Sequence, residues 1–143
     1  MNYTQFKEKY FQEILPNKHK DCRKGQALMN FLGDIWIEEY KRITASNVDC
    51  FYNDNVIDAC LNHLEKNWDN FFLEIQDIYY TISDEANDEQ LTGERTILAY
   101  YINNNKMVTL LDLNISIIDN SVSKLKEELL LIGFNEKTKL ILL

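Results

Sequence analysis

The sequence predicts an all-α fold, a compact domain of about six to eight helices over residues 1–143. Three observations carry that reading. Ile57, Leu61, Leu64, Trp68, Phe71, Ile75, Ile78 and Ile82 step by four and three residues, which keeps one face of a helix apolar. One Pro and four Gly are few for a turn-rich β sandwich. Val108, Leu111, Ile115, Ile118, Val122, Leu125, Leu129 and Ile132 then return to steps of three and four. The alternative is α+β with a small hairpin near 96–113. Leu113, Ile115 and Ile117 alternate with polar neighbours, 96–102 is rich in β-formers, and Asn103, Asn104 and Asn105 could turn the chain.

Taken in order, the first helix is expected over residues 3–15. Asn2 is its cap, Gln5 completes a capping box and Pro16 stops it, with Phe6, Tyr10 and Ile14 facing the core. After the polar, basic connector 17–21, a second helix is expected over 22–43 on Leu28, Phe31, Leu32, Ile35, Trp36, Tyr40 and Ile43. Gly33 in its interior points to close packing, since Gly costs a helix about 1 kcal/mol against Ala. The loop 46–54 supplies Asn and Asp as turn formers and caps. The stripe then makes residues 54–82 one helix, or two nearly collinear ones, burying Leu61, Leu64, Trp68 and Ile75. Residues 83–90 read as a polar loop, 121–132 as a helix capped by Gly133, and 139–143 as an apolar end docked on the core. The natural subdivision is a helix–loop–helix unit over 1–68 and an acidic half over 69–143.

Composition bounds the function. With 45% hydrophobic and 27% charged residues the chain is globular rather than disordered. No apolar run reaches the roughly 18–20 residues of a membrane span. A net charge of −8 argues against direct binding to nucleic acid or to an anionic membrane. Cys22, Cys50 and Cys60 form no disulfide framework, which suits a reducing cytoplasm. The acids are concentrated: between Lys66 and Arg95 lie Asp69, Glu74, Asp77, Asp84, Glu85, Asp88, Glu89 and Glu94 without one base.

Chemistry-bearing motifs are sparse. There is no phosphate-binding glycine loop, no nucleophile elbow and no metal helix. With two histidines, His-dependent acid–base catalysis has little to draw on, and no enzyme activity or cofactor is expected. His19, Cys22, Cys60 and His63 have the residue types of a tetrahedral zinc site and would suit a metal-dependent regulator. The plainer reading is stronger: Cys60 packs beside the stripe as a small hydrophobe, and no metal is expected.

Two resemblances follow from particular residues. Arg23, Gly25, Gln26, Asn30, Leu32, Asp49, Phe51, Tyr52, Asp54 and Trp68 resemble a pattern of small bacterial and phage proteins reading Arg-x-Gly-Gln, Asn and Leu, Asp-Pro-Phe-Tyr-x-Asp, then a helix ending in Trp. Here Cys50 replaces the Pro. The resemblance covers 23–68 and implies a helix–loop–helix unit and no activity. Asp77-Ile78-Tyr79-Tyr80 is similar to the acid-then-paired-Tyr element by which colicin DNase immunity proteins hold their nuclease. In size and acidity the chain also resembles immunity proteins of polymorphic and contact-dependent toxin systems.

The function expected is therefore an inhibitor or immunity protein that covers a basic partner, most plausibly a nuclease toxin. The expected contacts are Glu74, Asp77, Tyr80, Asp84, Asp88 and Glu89, with Tyr80 as exposed anchor and the acids steering association. A phage anti-defence protein mimicking nucleic acid would share the same physics.

Overall fold

A computed structural model describes residues 1–84 and 93–143. The fold is α+β, not all-α: helices fill the first half, and a four-stranded mixed sheet with one helix fills the second. The chain divides into two compact units, Met1–Phe71 and Phe72–Leu143.

In the first unit α1 (Tyr3–Lys9) begins at the expected capping box, with Asn2 Oδ1 accepting from Gln5 N–H and Gln5 Oε1 from Asn2 N–H, both at 2.8 Å. Pro16 does not end the helix. A π-helical turn over Tyr10–Ile14 leads into α2 (Leu15–Asn17), with Leu15 N–H reaching back to Tyr10 C=O. The widened turn is where a helix can absorb a Pro that has no N–H to give and whose ring crowds the preceding turn.

The expected second helix is two, α3 (Lys24–Ile35) and α4 (Ile37–Ile43), broken at Trp36 (φ −150°, ψ 77°). Gly33 sits just before the break, where a Cβ would lie 3.3 Å from the Tyr40 ring, so the close packing expected there is the break itself. A 3-10 turn (Asp54–Val56) leads into α5 (Ile57–Asn67), and α6 (Asp69–Glu74) follows. The core is aromatic. Phe6 stacks on Phe31 at 4.7 Å between centroids, and Trp68 packs against Phe6, Trp36 and Phe71 at 4.8, 5.4 and 5.1 Å. Trp68 Nε1 donates to the Met1 carbonyl at 3.1 Å, so the indole's one polar atom is satisfied.

The stripe is helical only to Glu74. Leu61, Leu64 and Trp68 are buried as expected, but Ile75 is only half-buried, and Asp77–Asp84 is β1. A step of four is even, so Ile78 and Ile82 share a face in a strand as well as in a helix. Only the step of three from Ile75 to Ile78 distinguished the two, and Tyr79, Tyr80 and Thr81 favour the strand.

β2 (Glu94–Asn103) pairs antiparallel with β1 and with β3 (Lys106–Ser116). Asn104 and Asn105 take φ of 52° and 62° between the paired Asn103 and Lys106. That is the primed two-residue turn whose twist suits a hairpin, and Asn is among the few residues that accept it. The apparent helical step from Val108 to Leu111 arises from a β-bulge. Ala99 faces Leu111 while Tyr100 faces Thr109, so Leu110 is the extra residue and Val108 and Leu111 return to one face.

After α7 (Ser121–Ile132), capped by Asn120 and ended by Gly133 at φ 123°, β4 (Lys139–Leu142) pairs parallel with β1. The strand order is β3-β2-β1-β4. α7 packs on β2 and β3, and Arg95 donates to Ser121 Oγ at 3.3 Å. On that covered face lie Ile78 and Tyr80 of β1 and Ile97, Ala99 and Tyr101 of β2, all buried, with Leu125, Leu129 and Phe134.

Leu64 is fully buried, so Leu64→Ala should cost about 2–5 kcal/mol, read as a fall in the denaturant midpoint at constant slope. A loss within 0.5 kcal/mol would mean that Leu64 is not part of the first unit's core.

Candidate functional site

The face of the sheet opposite α7 is the candidate site. Strand alternation and register place Asp77, Tyr79, Thr81 and Ser83 of β1 on it, beside Glu94, Thr96, Leu98, Tyr100 and Ile102 of β2. β3 adds Met107, Thr109, Asp112 and Asn114, and β4 adds Lys139 and Ile141. Thr96 Oγ1 donates to Asn114 Oδ1 at 3.0 Å, a cross-strand bond on this face. Tyr79 lies opposite Tyr100, and Asp112 opposite Leu98. Both tyrosines are half-buried, and Asp77, Glu94 and Asp112 are exposed. Lys139 is the only base among these positions.

At one end of the face a cleft of about 240 Å³ is lined by Glu74, Ile75, Gln76, Asp77, Tyr79, Tyr101 and Ile102. Burial raises the Tyr101 phenol above its ordinary value, so it stays protonated.

The residues named from sequence fall as follows. Glu74 is exposed at the end of α6, and Asp77 is exposed at the start of β1. Tyr80 is only 8% exposed and lies on the covered face, so the exposed position expected of it belongs to its neighbour Tyr79. Asp84 is the last residue of β1, its backbone opposite Arg95. Asp88 and Glu89 lie outside the described residues. Tyr100 and Asp112 are not among the residues named from sequence, and Glu94 is named there only as one of the eight acids. The alternation from Asp77 to Ser83 was the signal that could have found Tyr79, and pairing it across the sheet leads to the others.

In the first unit, the sequence pattern from Arg23 to Asp54 closes one loop. Arg23 Nη2 donates to the Phe51 carbonyl at 3.0 Å, and its guanidinium lies 5.5 Å from the Tyr52 ring centroid. Gly25 N–H donates to Asp54 Oδ1 at 2.9 Å. Asp49 accepts from Phe51 N–H at 2.9 Å and from Ala45 N–H at 2.8 Å. The Cys50 carbonyl lies against the Gly25 Cα, where any Cβ would run into it. These residues therefore hold the loop to the start of α3, and Tyr52 stands 80% exposed above it.

The zinc set does not assemble. His19 faces Asp21, the Cys22 thiol donates to the Arg23 carbonyl, Cys60 is buried, and His63 Nε2 lies 3.1 Å from Glu39 Oε1. Glu39, itself buried, also takes Arg42 at 2.8 Å, and this guanidinium lies 5.5 Å from the Trp36 ring centroid. Among the described residues no group of three or more His, Cys, Asp or Glu is placed to hold a metal ion. Among them, too, no helix is long and apolar enough to cross a membrane.

No protein-family model, curated protein or solved structure matches the chain.

Two substitutions separate these roles. Gly25→Ala should destabilise by about 1–3 kcal/mol through overpacking against Cys50, against the helix propensity that favours Ala by about 1 kcal/mol; a rise in the melting temperature would contradict it. Tyr80→Ala should cost about 3–5 kcal/mol as a large-to-small core change, and Tyr79→Ala clearly less. Equal losses in calorimetry would show that the two faces are buried alike.

Proposed function

We propose that this protein binds and neutralises a basic partner protein, a nuclease toxin, through the open face of its sheet. The supporting observation is that Asp77, Glu94 and Asp112 share this face with Tyr79 and Tyr100, with Lys139 as the one base among its named positions. Tyrosines fixed at their backbones by a β ladder lose little entropy on binding, and their rings give apolar contact with a polar tip. The acids act at longer range, drawing a positive surface in and raising the association rate. Residues 85–92 join the two strands and add Glu85, Asp88 and Glu89 without a base, extending the same charge in sequence. The likeness of Asp77-Ile78-Tyr79-Tyr80 to the colicin DNase immunity element supports the same class of partner, with Tyr79 in the anchoring role. The reading is of a binding protein and assigns no catalytic step to any residue.

The experiment is inhibition of a basic nuclease toxin encoded beside this protein's gene, measured with stopped-flow association. Asp77→Lys/Asp112→Lys should slow association at low salt and flatten its salt dependence, because a screening length of about 8–10 Å at moderate ionic strength already weakens the native field. Tyr79→Ala should act on dissociation, and a loss of about 2 kcal/mol or more would mark it as a hot spot. Unchanged rates and inhibition in both variants would overturn the proposal.

A further inference from the structure

We propose that the free edge of β4 is a self-association surface, on which a second copy of this chain pairs its own β4 antiparallel and seats its Leu142 at a cavity beside Leu140. Parallel pairing with β1 turns alternate backbone groups of β4 inward. Lys139 N–H donates to the Gln76 carbonyl at 2.8 Å, and Leu143 N–H to the Tyr80 carbonyl at 2.9 Å. Leu140 and Leu142 therefore turn their N–H and C=O groups away from β1. No strand lies beyond β4, and these backbone groups have no other hydrogen-bond partner among the described residues. The sheet's other edge is β3, where the bulge at Leu110 interrupts the row of backbone groups, a device that blunts an edge. The register of β4 with β1 is unbroken, and its one charge is Lys139.

Side chains on the same strand complete the surface. Leu140 and Leu142 pair with Ile78 and Tyr80, so both belong to the face on which α7 packs. Leu142 stands 60% exposed there. Beside Leu140 lies a cavity of about 290 Å³, whose apolar walls are Leu129, Leu130 and Phe134. An exposed leucine and an apolar cavity thus sit two residues apart on one edge strand, and a twofold axis perpendicular to the sheet at Ile141 exchanges them. In that register Leu140 of each copy stands opposite Leu142 of the other, with Cα atoms about 5.5 Å apart, and the outward N–H groups meet the outward C=O groups. Lys139 falls opposite Leu143 of the other copy, so no like charges meet. A strand this short covers less than the roughly 800 Å² per partner of a standard interface, so the pairing is weak and set by concentration. The inference does not depend on what the open face binds.

Sedimentation velocity of the whole chain between about 10 µM and about 1 mM tests the pairing. The weight-average mass should rise with concentration from that of one chain towards that of two. Leu142→Lys should weaken association at least about tenfold. It also makes the net charge of −8 less negative, so relief of general repulsion would act the other way. Ile141→Cys gives a second reading that does not rest on the first variant. The register sets Ile141 against itself in a non-hydrogen-bonded pair, with Cα atoms about 4.5 Å apart and within disulfide range. Mild oxidation should join two chains at position 141, seen after trypsin as peptide 140–143 linked to its own copy. A one-chain mass at every concentration, association unchanged in Leu142→Lys, or oxidised Ile141→Cys without the 140–143 link would overturn the proposal.

Discussion

The antiparallel register of β1 against β2 is the constraint on which the candidate site depends. Setting Tyr79 opposite Tyr100 sends both rings to the open face and sends Tyr80 and Ala99 to the covered face. A slip of one residue would reverse every side chain, burying Asp77 and exposing Ile78, at a cost in burial no short strand can bear. The register of β2 against β3 is fixed as well. The Asn104-Asn105 turn sets the β2–β3 pairing at one end, and the bulge at Leu110 restores Leu111, Leu113 and Ile115 to the covered face. The acids and tyrosines of the open face thus stand where they do because the opposite face is apolar.

The first unit solves a different problem. Its aromatic cluster needs helices that change direction, and the chain uses local devices to bend them: the π turn before Pro16, the break at Trp36, and the loop from Asp49 to Asp54 closed on Gly25. Asp49, Asn53 and Asp54 of that loop all accept from backbone N–H groups, the first two from residues close in the chain and Asp54 from Gly25 of α3. Such residues look functional in sequence because they are polar and patterned. Here they are scaffold, and what they present is the exposed ring of Tyr52.

Helix ends with strong local chemistry were legible in the sequence. Asn2 with Gln5, the stripe through Leu64 and Trp68, and the 121–132 helix ended by Gly133 all follow from short-range rules. The sheet was read as helix because both of its decisive stretches satisfied the helical period by coincidence. In β1, Ile78 and Ile82 are separated by an even step; in β3, the bulge turned a step of three into a same-face pair. Non-local pairing decides such segments, and no window of the chain contains it. The site suffered the same error. The acidic, Tyr-bearing segment stands out in the sequence, yet a helical wheel puts Tyr80 outside, where the strand buries it and turns Tyr79 to the open face.

Hydroxyl-radical footprinting of the complex with a basic nuclease toxin tests the proposed role of the open sheet face. Tyr79 and Tyr100 should lose most of their radical modification on complex formation, while Tyr52 in the first unit keeps its own. Protection of Tyr52 with unchanged modification of Tyr79 and Tyr100 would contradict it.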